Sequence, residues 1–210
     1  MSHPPVRLDG VVTADDRPDE PSSVDGALPV FSVVDIETSG LSTSRHRILQ
    51  IAVARVDDGE VVDEWSSLVK LKWPWQRVGP RRVHGISRRD LKGAPDATSV
   101  LAEFAARTDG TVLVAHNMSF DWGFIERAAR AYRVDLTPPP RVCTLWLSRR
   151  LDPDRRQSHR LADLCDRYGI DNDRPHDARF DARATALVLP KLLADHGITD
   201  AHGLAPFYER

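Results

Sequence analysis

Residues 29–41 read Pro-Val-Phe-Ser-Val-Val-Asp-Ile-Glu-Thr-Ser-Gly-Leu, and no other stretch constrains this chain as much. An apolar run ends in two carboxylates, Asp35 and Glu37, and breaks at Gly40. Side chains alternate between the two faces of a strand, so residues two apart share a face. Asp35 and Glu37 therefore point the same way from the end of a strand apolar enough to be central. Two like charges held that close raise each other's pKa unless a cation stands between them. Hard oxygen ligands suit Mg²⁺ or Mn²⁺. A solvated strand end is the plainer reading, and this stretch alone does not choose between them.

The rest of the chain reads as alternating strands and helices. Strand-like runs cover residues 30–36, 48–56 and 61–69, and Asp57-Asp58-Gly59 between the last two is a hairpin signal. Residues 95–108 have helical spacing, 111–115 form a short apolar run typical of a buried strand, and 118–132 are helical again. Residues 143–151 and 161–168 read as two further helices, the second with Ser158 as candidate N-cap. A last helix is expected over about 178–194, kinked by the proline at 190, which removes a backbone bond. An antiparallel start followed by this alternation predicts an α/β fold with a mixed sheet flanked by helices. Residues 1–28, rich in Pro, Asp and Ser, are expected to be a disordered arm; 29–196 form the domain and 197–210 a short tail.

Composition narrows the function classes. At 210 residues with 41% hydrophobic content the chain can bury a real core. No apolar run is long enough to cross a membrane and no leader is expected, so the expected location is the cytoplasm. Cys143 and Cys165 have no metal-binding spacing and read as reduced thiols on helices. A net charge of −2 argues against broad coating of nucleic acid but leaves room for a grip on one strand end.

Two later motifs supply further acids. His116-Asn-Met-Ser-Phe-Asp121 follows the buried strand; Asn117 or Ser119 can cap the next helix, placing Asp121 in its first turn. The helix dipole favours an acid there, so plain capping is the alternative. In His176-Asp-Ala-Arg-Phe-Asp181, a five-residue offset turns the outer side chains apart on one continuous helix. They share a target only if His176 precedes the helix, with Asp177 as N-cap. That arrangement sets a general base beside a metal ligand; an exposed histidine and a surface aspartate are the alternative. Residues 70–82 interleave five basic side chains with Trp73 and Trp75. Basic groups neutralise phosphates and indoles stack on bases. The same loop could instead tuck its tryptophans onto the core.

In chain order, Asp-x-Glu-Thr-Ser-Gly, His-Asn-x-x-Phe-Asp and His-x-x-x-x-Asp together resemble the DnaQ-like 3′→5′ exonucleases of the DEDDh class. The exonuclease domains of the DNA polymerase III epsilon type belong to that group, and its fold is ribonuclease H-like. The resemblance runs from about residue 30 to 194, and Val83-His-Gly-Ile-Ser87 and Ser158-His-Arg-Leu-Ala-Asp-Leu-Cys165 also look like family segments. It implies that Asp35, Glu37 and Asp181 hold the ion that positions the attacking water. Asp35 would bridge to a second ion supported by Asp121, and His176 would take the proton. It further implies that Thr38, Ser39 and Leu41 border the 3′-terminal nucleotide, with Leu41 as a wedge, and that Asn117 orients Asp121's helix or touches substrate. His84 and His116 are expected in supporting roles.

The expected activity is release of nucleoside 5′-monophosphates from a single-stranded 3′ end, DNA favoured, in proofreading or repair. A DNA polymerase is a further partner this resemblance implies. A non-catalytic module binding nucleic acid or a polymerase is the alternative, and it would lack one or more carboxylates; none is missing. An aspartyl-phosphate phosphatase fits less well, since it has a second aspartate where Glu37 stands. The loop 70–82 departs from the blander family pattern, so substrate choice is what the resemblance carries least.

Overall fold

Asp35 and Glu37 lie on β1 (Phe31–Thr38), the central strand of the sheet in the computed structural model, which describes residues 26–209. An antiparallel meander continues with β2 (Ile48–Asp57) and β3 (Glu60–Leu68). Between them Asp58 and Gly59 both have positive φ, 47° and 79°, the signature of a two-residue turn whose twist matches that of the strands. Then come α1 (Arg81–His84), α2 (Arg88–Lys92), α3 (Ala97–Thr108), β4 (Val112–Ala115) and α4 (Met118–Tyr132). The chain ends with β5 (Arg141–Cys143), α5 (Thr144–Arg150), α6 (Leu161–Tyr168), α7 (Ala178–Asp195), α8 (Ala201–Leu204) and a 3₁₀ turn over Ala205–Phe207. The sheet order is β3-β2-β1-β4-β5; β1 is antiparallel to β2 but parallel to β4, and β4 is parallel to β5. This is the mixed, helix-flanked sheet of a ribonuclease H-like fold.

Strand alternation splits the core in two. Phe31 and Val33 pack with Ala182, Leu189 and Leu192 of α7. Val34 and Ile36 pack on the opposite face with Leu101 and Phe104 of α3 and Ile125 of α4. Asp35 and Glu37 continue the face that carries α7, just where the apolar packing ends. Phe104 is fully buried, so truncating it to alanine costs about 3–5 kcal/mol.

Several local expectations change. Cys143 is the last residue of β5, not part of a helix; α5 begins at Thr144. Ser158 does not cap α6: Arg160 holds the N-cap position, and the Ser158 hydroxyl donates to the Asp163 carboxylate. The presumed tail packs into the domain. Ile198 and Leu204 are buried in the α7-side core, and the Glu209 N–H donates to the Arg141 carbonyl at 2.8 Å. Of the arm expected over 1–28, residues 1–25 lie outside the described residues, while Leu28 packs against the core. α7 continues through Pro190 as one helix of 18 residues. Among the described residues no helix is long and apolar enough to cross a membrane.

Candidate active site

β1 pairs regularly with β2 from Phe31 as far as Glu37, and the register then shifts between Glu37 and Thr38. Such an irregularity bends a strand and re-aims its side chains. It falls where the chain leaves the sheet, directly after both carboxylates. Asp121 enters from α4, in the first turn as the motif predicts, and is buried. Asp181 enters from the first turn of α7. Its two oxygens are fixed separately: the Asn172 side-chain amide donates to one at 2.7 Å and the His176 backbone N–H to the other at 2.8 Å. His176 stands before the helix with φ 67°, in the left-handed region, and its ring is exposed. That backbone brings ligand atoms of Glu37, His176 and Asp181 within 4.8 Å of one another.

The electrostatics tie Asp35 and Asp121 to the same cluster. Burial, then the charges of Asp121, Asp181, Glu37 and Asp177, hold the Asp35 carboxyl well above the usual range. Glu37 is pushed up to about 8, first by burial and then by Asp181, Asp177 and Asp121. Burial also pushes Asp121 up to about 8, although backbone N–H groups of Asp121 and Ile36 pull it down. Asp181 is raised by burial against the pull of Asn172 and the His176 N–H. The charges that shift Asp35 and Glu37 are all acidic. A set of hard oxygen donors crowded together in this way fits divalent cations of the Mg²⁺ or Mn²⁺ type.

Asp177, expected as the cap of α7, accepts from the Arg179 N–H at 3.2 Å and also from the Gln50 side-chain amide at 3.0 Å. Gln50 stands directly opposite Glu37 on β2, and the Ala178 N–H approaches its carbonyl oxygen at 3.4 Å. Gln50 thus fastens the start of α7 to the sheet beside Glu37. Sequence reasoning missed both Gln50 and Asn172. A lone amide in the apolar run Ile48-Leu-Gln-Ile-Ala-Val was a usable signal for Gln50, since half-buried polar groups need partners. Nothing in the turn-rich segment 170–175 distinguishes Asn172.

The remaining candidates surround this cluster. The Thr38 hydroxyl donates to the Gly40 carbonyl at 2.9 Å. Ser39 is buried; its N–H donates to the Arg47 carbonyl at 2.9 Å and its hydroxyl accepts from the Arg47 N–H at 3.0 Å. Leu41, at the tip of this loop, is 84% exposed. Asn117 is the N-cap residue of α4 but makes no side-chain cap bond; its side chain meets only Ser119 Oγ, at 3.4 Å, among the described residues.

Trp73 and Trp75 are not tucked onto the core: they are 46% and 72% exposed and stack on each other with ring centroids 5.2 Å apart. Their segment is nevertheless joined to the site. A Cβ on Gly79 would lie 2.3 Å from the Ser39 carbonyl oxygen, so only glycine allows this approach. His84 and His116 are structural. His84 accepts from the Ile86 N–H and meets the Val78 carbonyl, while His116 bridges Thr144 and the His159 carbonyl. Burial lowers His116 to about 4.

The sequence profile of the exonuclease family (RNase_T) matches residues 32–189, which span every carboxylate just described. The chain belongs to the exonuclease family. It carries a DnaQ-like exonuclease domain. Among curated relatives, the PolC-type DNA polymerase III of Bacillus subtilis is 34% identical over 166 residues, covering 79% of this chain. That of Streptococcus thermophilus is 32% identical over 178 residues, covering 83%. The exonuclease spans only 11% and 12% of those two polymerases.

Among solved structures, Exonuclease X in complex with 5′-overhanging duplex DNA superposes with a TM-score of 0.66 at 27% identity. The match covers 84% of this chain and 98% of that one. The nuclease domain of 3′hExo, a DEDDh family member bound to rAMP, gives a TM-score of 0.70 at 17% identity over 85% and 97% of the two chains. That second likeness speaks for the fold.

Proposed function

We propose that the exonuclease removes nucleotides one at a time from the 3′ end of single-stranded nucleic acid, DNA in preference to RNA, releasing nucleoside 5′-monophosphates. The observation that carries this reading is that ligand atoms of Glu37, His176 and Asp181 lie within 4.8 Å of one another, with Asp121 near enough to raise the Asp35 and Glu37 carboxyls. Asp35, Glu37 and Asp181 would hold one divalent ion, Mg²⁺ or Mn²⁺, and Asp35 with Asp121 would support a second. When bound, two such ions supply charge stabilisation to both the attacking and the leaving oxygen of an in-line displacement. The protein's part is to fix the acids and move a proton. Asn172 and the His176 N–H hold Asp181 by one oxygen each, and Gln50 holds the start of α7. His176 takes the proton of the attacking water on an unprotonated ring nitrogen, the part of a general base.

Thr38, Ser39 and Leu41 border the terminal nucleotide, with exposed Leu41 against its base, and Asn117 lies at the entry of α4. Trp73 and Trp75 present indole faces to bases further along the strand. The similarity to PolC-type polymerases supports proofreading or repair in the cytoplasm, with a DNA polymerase as partner. The alternative, a binding module without catalysis, has nothing in its favour here, because no acid of the cluster is replaced.

The test is a time course on 3′-labelled and 5′-labelled DNA and RNA oligonucleotides, with and without Mg²⁺. The expected result is immediate release of labelled mononucleotide from 3′-labelled DNA, a shortening ladder from the 5′-labelled strand, and silence without the ion. Cleavage from the 5′ end, or none on any strand with Mg²⁺ or Mn²⁺ present, overturns the proposal.

A further inference from the structure

The loop between β1 and β2 has a second neighbour besides the carboxylates. A cavity of about 240 Å³ opens between this loop, the segment that follows β3, and α4. Its floor is apolar, with Leu101 and Phe124, and Trp73 forms one wall. Its rim carries Arg47, Lys70, Lys72 and Arg127, and no aspartate or glutamate lines it among the described residues. Elsewhere on the surface Arg107, Arg130, Arg156, Arg179 and Arg183 lie against carboxylates, whereas none of the four rim cations does so among the described residues. Cations gathered around an apolar hollow, with no counter-charge among the described residues, suit a ligand that is itself anionic outside and apolar within.

Two details narrow that ligand. Cavities for drug-sized molecules are about 300–1,000 Å³, so this one takes a single planar group rather than a helix or a folded peptide. Its wall is already arranged for stacking: Trp73 lies parallel to Trp75 within 6°, and the Lys72 ammonium stands 5.3 Å from the Trp73 ring centroid. A nucleobase flanked by phosphates has this combination of a flat apolar body and charged edges. The position agrees. Arg47 on the rim accepts from the Ser39 N–H through its carbonyl and donates its N–H to the Ser39 hydroxyl, so a single loop leads from the carboxylates to the cavity.

We propose that this cavity is an upstream subsite, taking one base of the substrate strand that lies at least two nucleotides 5′ to the one being removed. The neighbouring phosphates lie on Arg47, Lys70, Lys72 and Arg127. This rests on the 3′-exonuclease reading for its substrate. It adds that the enzyme grips the strand by an internal nucleotide as well as by its end, so affinity depends on length.

The test is equilibrium binding of 5′-labelled single strands in EDTA, by fluorescence anisotropy across a salt series, comparing a dinucleotide with a decanucleotide. The wild type should bind the decanucleotide more tightly. Arg127→Ala, at an exposed position on α4, should lower that affinity and make the slope of log K against log salt shallower by about 0.7, the loss of one phosphate contact on a single strand. Ala128→Leu fills the hollow and should weaken decanucleotide binding by about 5- to 150-fold, the range of one lost base stack, with the slope unchanged. Neither variant should alter dinucleotide binding.

If the wild type gains nothing from the longer strand, or if both variants bind it with wild-type affinity and slope, the proposal fails. A peptide rich in Asp and Phe that binds the wild type but neither variant, while oligonucleotide binding stays intact in both, also overturns it in favour of a protein ligand. Because no turnover is read, a wild type that cleaves no 3′ end would defeat the activity proposed above and leave this measurement standing.

Discussion

The two sides of the β1–β2 loop are electrostatic opposites. On one side, burial and then mutual repulsion raise the pKa of clustered acids; on the other, basic side chains ring an apolar cavity. The overall charge of −2 hides this separation. A phosphate meets repulsion on the first side until cations arrive, and attraction on the second whether or not they do. The difference teaches that chemistry and grip are built from opposite charge and can be disturbed one at a time.

The sharpest break comes on the acidic side. Asp35→Ala or Asp181→Ala should lower turnover by at least about 10³-fold, the upper cost of losing one charge-stabilising group in an active site, while decanucleotide binding in EDTA stays or tightens. Near-normal turnover in either purified variant would remove the assigned metal role. Next in size is His176→Ala. Loss of a general base costs about 10²–10⁴-fold in the single-turnover rate at saturating Mg²⁺. Metal and strand binding should remain, because every carboxylate does. An unchanged rate with an unchanged pH profile would exclude His176 as the base.

On the basic side the effects should be smaller and fall on binding. Trp73→Ala or Trp75→Ala should raise the Michaelis constant for long single strands, about 1–3 kcal/mol per lost base stack, without changing the Mg²⁺ concentration that gives half-maximal rate. A changed Mg²⁺ requirement would show that the two sides are not separable.

A separate check lies in stability. Glu37 and Asp121 hold their protons up to about 8 in the folded protein, whereas unfolded carboxylates release them near 4. The folded state therefore binds more protons than the unfolded one between these values. Metal-free stability from these groups is present on the acid side and is lost as pH rises toward and through about 8. Each kcal/mol so lost lowers the thermal midpoint by about 2–4 °C in a domain of this size. Melting curves across this range, with and without Mg²⁺, should converge in acid and separate toward pH 8. Parallel curves would count against a cation answering these charges.

Legibility in the sequence followed the length of each pattern. Strand alternation placed Asp35 and Glu37 on one face, and the periodicity of residues 118–132 matches α4 end for end, which put Asp121 in its first turn. Elements too short for a period were not readable. β5 is three residues long, so Cys143 merged with the helix after it, and Ile198 and Leu204 have too few apolar neighbours to announce that they are buried. Contacts between distant segments were also silent: nothing local pairs Gln50 with Asp177 or Gly79 with Ser39. For Trp73 and Trp75 the composition was equally compatible with burial and exposure, and only the fold decided.

His176 illustrates how such an enzyme limits its own robustness. An L-residue in the left-handed region costs about 1–2 kcal/mol that glycine avoids. Selection for stability alone would therefore favour His176→Gly, which relaxes the backbone and keeps the N–H that holds Asp181. The result would be a hardier protein without its imidazole. Any consensus or thermostabilising redesign of this chain should therefore leave position 176 out of its search.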